Sequence, residues 1–154
     1  MKRLLVPAAA VAAAVLVFAV VNATAGSSSA KAGGSIHVIE HATTDAVTNG
    51  TAGDSAGNIL TFANDVYDAA DAHKVGSDQG YCVRTVVGAA WECNWTTFLP
   101  GGQITVEGPF SDTGDTVVAV TGGTGAYRNT RGSMQLIYHN PAGTEFDFVF
   151  NLVG

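Results

Sequence analysis

An all-β domain, folded as an eight-stranded antiparallel β-barrel, is the architecture that this sequence predicts. After residue 34 the apolar residues recur with period two, as in half-buried strands, and no stretch carries an amphipathic helical pattern of useful length. Turn residues separate eight such stretches, and closing eight strands into a barrel leaves no exposed sheet edge. A β-sandwich built from the same strands is the alternative.

Polar or glycine-rich segments divide the predicted strands. The clearest alternation runs from Phe146 to Leu152, where every second residue is apolar and three of the four are aromatic. Two longer polar stretches, Ala42–Gly57 and Tyr67–Asp78, are predicted as connections, and Val87–Gly88 as the turn of a hairpin. The predicted strands are Ser35–His41, Asn58–Val66, Gly80–Val87, Ala90–Phe98, Gln103–Glu107, Asp115–Thr121, Gly132–His139 and Glu145–Leu152.

The N-terminal 25 residues have the parts of a secretory signal peptide. A positively charged start precedes an apolar run from Leu4 to Val21, and Ala23–Ala25 supplies a small-x-small cleavage site. A membrane anchor is the competing interpretation, but the run is mostly Ala and Val and no charged stop follows it. We therefore expect a signal peptide over residues 1–25, a flexible linker over 26–34 and a barrel domain over 35–154.

Charge and cysteine content restrict the partners of the exported chain. Cleavage after Ala25 would leave five basic and 13 acidic residues, a net charge of −8, which argues against nucleic acid and anionic membrane surfaces as partners. No stable membrane insertion is expected after cleavage. In an oxidising compartment Cys82 and Cys93, which face each other across the predicted hairpin, are expected to form a disulfide. Two free, buried thiols are the alternative.

Glu40 is the most informative single residue. It shares a strand face with Ile36 and Val38, so if they point inward the carboxylate does too, and its pKa should rise. A buried carboxylate is costly unless it is paired, and strongly perturbed groups are often functional. The apolar Ile39 on the opposite face leaves a second interpretation open, in which the strand is slipped by one residue and Glu40 is solvated.

Two stretches resemble metal or phosphate motifs but lack their geometry. The stretch His37–His41 spells H-x-x-E-H, yet on a strand its two histidines lie about 13 Å apart, too far to share one zinc ion. Thr121–Gly125 is glycine-rich but lacks the Lys-Ser/Thr ending and the helix of a phosphate-binding loop. We expect no metal site and no cofactor.

The C-terminal half resembles a known family. Ile104–Phe110 (ITVEGPF) and Asp115–Tyr127 (DTVVAVTGGTGAY) resemble the V-x-G-P-Y and D-T-x-L-A-V-T-G-G-x-G segments of plant allene oxide cyclases. The turn Gly122–Tyr127 also resembles the G-G-T-G-x-[FY] hairpin of dirigent proteins, and Gly57–Tyr67 is similar to the cyclases' G-D-L-V-P-F-T-N-K-L-Y. The resemblance extends over residues 36–154. It implies an eight-stranded barrel around an apolar cavity, assembled as a homotrimer.

The resemblance also implies site residues. Glu40 falls on the family's charge-stabilising Glu and Asn64 on its water-holding Asn, so these two are predicted to be catalytic. Three departures count against cyclase activity: Ala42 replaces a second Asn, Phe110 replaces the cavity Tyr, and no Pro follows the first strand. The residues predicted to bind substrate are Leu60, Phe62, Cys82, Trp91 and Phe110.

The plant cyclases close an unstable allene oxide into a ring without a cofactor, chiefly by confining and orienting it. We accordingly expect a secreted barrel that binds a small apolar ligand, lipid- or phenylpropanoid-like. One hypothesis is a cofactor-independent cyclase or isomerase. The others are a dirigent-like protein that steers a coupling reaction begun by another enzyme, and a carrier without turnover. The sequence does not rank the three.

Overall fold

The computed structural model describes residues 33–153 of the chain; the predicted signal peptide and the predicted linker up to residue 32 lie outside the described residues. No helix among those described is long and apolar enough to span a bilayer. A single 3-10 turn, Gly125–Tyr127, interrupts the strands. The strands are β1 (Gly34–His41), β2 (Ala46–Asn49), β3 (Ile59–Phe62), β4 (Asp65–Asp68), β5 (Lys74–Val86), β6 (Ala90–Leu99), β7 (Gly102–Ser111), β8 (Thr116–Gly123), β9 (Arg131–Tyr138) and β10 (Glu145–Val153).

Strands β1 and β2 together act as one strand of the closed barrel, and so do β3 and β4. The hydrogen-bonded order is β2-β3-β5-β4-β1-β10-β9-β8-β7-β6, and β6 returns to β5 to complete the ring. Strands β3 and β4 pair with β5 in one register from Ile59 to Val66, with Phe62 opposite Gly80 and Asp65 opposite Ser77, and the register shifts between Val66 and Tyr67. Strand β1 pairs with β4, and β2 pairs with β3. The predicted eight-stranded antiparallel barrel is confirmed, and the sandwich alternative is excluded.

Both stretches predicted as connections contain strand. Ala46–Asn49, inside the first of them, forms β2, and the second ends in the first five residues of β5. Strand β4 also runs two residues beyond the predicted end at Val66. The prediction failed because it relied on apolar residues at alternate positions, whereas the inward residue near the start of β5 is Asp78, which is 2% exposed.

A β-bulge lies between β1 and β2. His41 pairs with Asp65 and Ala46 pairs with Thr61, so residues 42–45 of one strand face the three residues 62–64 of the other. One extra residue turns everything that follows it to the opposite face of the sheet. As a result Glu40, at the end of β1, and Asp45, beyond the bulge, both line the barrel interior.

The barrel interior is filled mainly by large apolar side chains. Those with almost no exposure include Val66, Ile104, Val106, Met134, Phe148 and Phe150. On β1, Val38 and Glu40 share the inward face, and Ile39 on the opposite face is buried as well. Burial of Ile39 therefore does not require a slipped strand, and the solvated-Glu40 alternative is excluded.

Cys82 on β5 lies directly opposite Cys93 on β6, and the two form a disulfide. The pairing expected from the hairpin is confirmed. Both cysteines are buried, at 5% and 3% exposure. The bond closes a short loop, so its stabilisation comes from the modest entropy that such a loop removes from the unfolded chain.

Replacing both cysteines by serine (Cys82→Ser/Cys93→Ser) is expected to lower the free energy of unfolding by about 2–3 kcal/mol, the chain-entropy value for a loop of this length. Urea denaturation of the wild type and the variant measures the difference. Reductant should shift the wild-type midpoint toward that of the variant and leave the variant unchanged. If the reductant left the urea midpoint of the wild type unchanged, the expectation would be contradicted.

Candidate functional site

One end of the barrel interior holds an aromatic pocket. Its empty space is about 460 Å³, including the open mouth, and the centre of a water-sized sphere reaches about 50 Å³ of it. The half-buried side chains of Leu60, Phe62 and Phe110 lie beside the exposed Asp45, and we place the mouth there. All five residues predicted to bind substrate line this pocket: Leu60, Phe62, Cys82, Trp91 and Phe110.

The aromatic rings of the pocket wall pack against one another. Trp95 contacts Phe62 edge to face at 6.3 Å between ring centres and Phe148 at 5.8 Å. Phe110 contacts Phe146 edge to face at 5.7 Å. These separations are those at which aromatic pairs gain energy beyond simple burial. These contacts stabilise the closed pocket, and the Cys82–Cys93 disulfide forms part of one side.

The side-chain amide of Asn64 organises the polar part of the pocket. Its Nδ2 donates to Glu40 Oε1 at 2.8 Å and to Asp45 Oδ1 at 2.7 Å. Its Oδ1 accepts from the backbone N–H groups of Thr43 and Thr44, at 3.1 and 3.0 Å, and from the Thr44 hydroxyl at 3.0 Å. Asn64 therefore satisfies the bulge backbone and fixes two carboxyl groups at once. Both of its amide hydrogens are engaged by this chain.

Asp78 supplies a third carboxyl group next to Glu40. It lies opposite Asn64 on β5, and the two residues exchange backbone hydrogen bonds of 3.1 and 2.9 Å. The carboxyl groups of Asp78 and Glu40 are close enough to perturb each other's pKa, and the buried Asp78 Oδ2 has no hydrogen-bond partner among the described residues unless one of the two acids carries a proton. With Glu40 6% exposed and Asp78 2% exposed, this is a buried acid pair.

Burial governs the protonation of the acid pair. Desolvation raises the pKa of Glu40 to about 7; the Asn64 hydrogen bond opposes this rise and the charge of Asp45 adds to it. Desolvation and the neighbouring Glu40 raise the pKa of Asp78 to about 10, so Asp78 is the group that keeps its proton. Burial also raises the pKa of Asp45. Near neutral pH the Glu40 carboxyl is poised between its two forms, with a protonated acid beside it.

Arg84 is the buried cation nearest to the pocket, but it is already neutralised. Its guanidinium lies 3.9 Å above the Trp91 ring and forms ion pairs with Asp112 at 2.6 Å and Asp54 at 2.7 Å. Asp112 also accepts the indole N–H of Trp91 at 3.1 Å. This cluster fixes the orientation of Trp91. Arg84 itself does not line the pocket.

The histidines of the H-x-x-E-H stretch bind separate partners. His37 Nε2 lies 2.6 Å from Asp147 Oδ1, and His41 Nε2 lies 2.7 Å from Asp71 Oδ1. His41 also stacks on Tyr67. In the described part of the chain, no three His, Cys, Asp or Glu side chains are placed to hold one metal ion.

Comparison of this fold with solved structures finds barrels of one kind. A pyocyanin demethylase superposes with a TM-score of 0.63 at 23% identity, covering 75% of this chain and 99% of that one. A pterocarpan synthase dirigent protein gives 0.62 at 18% identity, covering 79% and 94%. AbnU, an exo-specific intermolecular Diels-Alderase, gives 0.64 at 18% identity, covering 79% and 98%.

The fold is thus the allene oxide cyclase/dirigent-like barrel, as the sequence resemblance predicts. No protein-family model matches the sequence, and no curated protein matches it either. At these identities the likeness establishes the architecture, and the chemistry has to be argued from the pocket itself.

Sequence reasoning missed two of the three acids. Asp45 stands in a stretch predicted as a loop, and only the bulge turns it inward. Asp78 was placed at the end of another predicted loop. One signal was available for Asp78: it lies two residues before Gly80 and four before Cys82, on the same face of an extended chain. Continuing that strand backward would have placed its carboxyl group inside the barrel.

The acid pair predicts how stability depends on pH. Between pH 5 and pH 8 the folded state holds more protons than the unfolded chain, whose carboxyls titrate near 4.5 and 3.8. The free energy of unfolding should therefore fall as pH rises through this window. His139, whose pKa is raised mainly by its hydrogen bond to Asp147, contributes in the same direction above its ordinary value of 6.5.

Asp78→Asn is expected to flatten this pH dependence. Urea denaturation at pH 5, 6, 7 and 8 measures the slope for the wild type, the variant and the control Glu92→Gln, which removes an exposed carboxyl from β6. The control should keep the wild-type slope. Equal slopes for Asp78→Asn and the wild type would mean that Asp78 is not protonated in the folded state.

Proposed function

We propose that this protein is a secreted barrel that binds a small, largely apolar ligand and isomerises or cyclises it without a cofactor. The observation that carries the proposal is the buried Glu40–Asp78 acid pair, placed where Glu40 opens into an aromatic pocket. Buried acids are costly, and a pair whose pKa values are pushed apart is a common arrangement for proton transfer.

In the proposed reaction Glu40 moves a proton within one bound molecule. The Glu40 carboxylate accepts a proton from one position of the ligand and returns it to another, so the atoms balance and no other reactant is consumed. Asp78 keeps its own proton and stabilises the Glu40 carboxylate by hydrogen bonding. A base whose pKa lies near 7 is well matched to such transfer at neutral pH. Asn64 acts as a positioning residue.

The aromatic walls supply the second part of the proposed mechanism. A fixed pocket shape holds a flexible molecule in one reactive conformation and excludes water from the proton-transfer site. The enclosed space is small, since the centre of a water-sized sphere reaches only about 50 Å³ of it. Because so little of it admits a water-sized sphere, entry requires movement of the half-buried Leu60, Phe62 or Phe110.

Two further features support the proposal, one concerning export and one concerning the chemistry of this fold. Disulfides persist mainly in oxidising compartments, so the Cys82–Cys93 bond is consistent with export. The superposed proteins are named for three different reactions: a demethylation, a pterocarpan synthesis and a Diels-Alder addition. This barrel therefore accommodates several reactions of organic molecules, and the reaction in each case depends on the residues inside.

Leu60→Trp is expected to block ligand binding, because the larger side chain fills the mouth of the pocket. Native mass spectrometry after incubation with small-molecule extract from the host compares it with the wild type. Thr61→Trp is the matched control, since it adds the same ring one residue further along the same strand. A mass retained by the wild type and the control but not by Leu60→Trp identifies the ligand. A mass bound equally by all three would place the ligand elsewhere.

Glu40→Gln is expected to lower turnover of the identified ligand by about 100-fold or more, the usual contribution of a general base, while its affinity changes little. Product formation is followed by chiral chromatography, with Glu92→Gln as the control that should retain full activity. Equal turnover by Glu40→Gln would sink the catalytic role. Binding without any conversion by the wild type would favour a dirigent-like guide or a carrier.

A further inference from the structure

We infer that the ligand of this pocket is a flat aromatic molecule carrying positive charge, and that carboxylic acids are excluded from it. The inference rests on the proposed function, since it concerns the same pocket, and it narrows the class of molecule that the pocket accepts. Three features of the described residues carry it: the charge of the pocket lining, the location of the nearest cations, and the polar and aromatic surface left free.

The ionisable side chains of the pocket lining are all acidic. Glu40 and Asp45 are its ionisable side chains, Asp78 lies directly behind Glu40, and no Lys, Arg or His of the described chain lines the pocket. A carboxylate entering this space would lose its water and meet like charge. A cation would lose its water and meet carboxyl oxygens already oriented by Asn64.

The basic side chains beside the pocket are bound to other carboxyl groups. Arg84 stands between Asp54 and Asp112, and His41, which is close enough to Glu40 to lower its pKa, is paired with Asp71. Neither is free to serve as counter-ion for an acidic ligand. The chain as a whole carries a formal charge of −6, so the long-range field also attracts cations and repels anions.

The walls offer what a flat aromatic cation needs. The rings of Trp95, Phe62 and Phe110 line the space and present aromatic surface to its contents, and cations bind such surface favourably. Trp91 already holds a cation in this way, because the Arg84 guanidinium lies over its ring. A planar ring system makes more contact with these aromatic faces than a branched molecule does, because flat rings stack on one another.

Trp95 leaves one hydrogen-bond donor in the pocket wall unpaired. It is 97% buried and lines the pocket, yet its indole N–H has no acceptor among the described residues. A buried donor without a partner is costly. Because that nitrogen is itself fully buried, a ligand acceptor reaches it only when the pocket opens.

The test uses three molecules that share one ring system and differ in charge. Isothermal titration calorimetry of the purified protein at pH 8 compares 1-methylquinolinium, quinoline, and quinoline-4-carboxylate. We expect the cation to bind at least about tenfold more tightly than neutral quinoline, a difference of about 1.4 kcal/mol. The carboxylate should show no binding at millimolar concentration.

Paired variants separate the pocket charges from the general field. Glu40→Gln/Asp45→Asn should remove the preference for the cation while quinoline still binds. Glu92→Gln/Glu107→Gln removes the same formal charge from exposed positions and should keep the preference. If the Glu40→Gln/Asp45→Asn variant misfolds, the single substitution Asp45→Asn, at the exposed mouth, should reduce the preference for the cation.

Each outcome bears on the inference. Equal binding of the cation and quinoline, or binding of the carboxylate, would overturn the inference and leave the proposed pocket in place. If folded protein binds none of the three molecules, the inference is overturned. That result would count against the proposed function only if Leu60→Trp also retained the host ligand as well as the wild type does. A cation preference that survives Glu40→Gln/Asp45→Asn would assign the selectivity to the protein's overall charge instead.

Discussion

The hydrogen bonds of the Asn64 side chain are the constraint on which the site depends. A bulge in an antiparallel ladder leaves backbone N–H groups without partners, and buried N–H groups need an acceptor. Asn64 Oδ1 accepts from Thr43 and Thr44, and its Nδ2 reaches the carboxyl groups on either side of the bulge, Glu40 and Asp45. One amide thereby stabilises an irregular backbone and orients two acids that a regular strand would place on opposite faces.

This arrangement explains how the barrel tolerates buried acids. Each carboxyl group is costly if it is buried alone and ionised. Here Glu40 accepts a hydrogen bond from Asn64, and the Glu40–Asp78 pair shares a proton, so the buried charge at neutral pH is smaller than three carboxylates would suggest. Glu40 and Asp45 line the pocket together with the aromatic residues, so their carboxyl groups face the contents of an otherwise apolar cavity. Functional sites commonly combine such features.

The sequence predicted the barrel because strong local signals agreed with one another. Regular alternation, tight turns and the cysteine pair of the β5–β6 hairpin each favoured the same strands. Parity left an inward and a solvated Glu40 as alternatives, and the resemblance favoured the inward one. The resemblance added Asn64. What could not be predicted depends on contacts distant in sequence: the inward turn of Asp45 requires the bulge, and the bulge is held by Asn64, 19 residues away. Asp78 was missed because a prediction based on hydropathy assigns a carboxyl-bearing residue to a loop even when its side chain points into the barrel.

The disulfide has a mechanical consequence for the pocket. Because Cys82 and Cys93 join β5 to β6 in the pocket wall, these two strands cannot separate at that level when a molecule enters. Any expansion therefore depends on the other strands, such as β3, which pairs with β5 and has only half-buried side chains, and on the irregular segment that joins β1 to β2. The wall at β5–β6 keeps its spacing, so a ligand that strains the barrel has to displace its other strands.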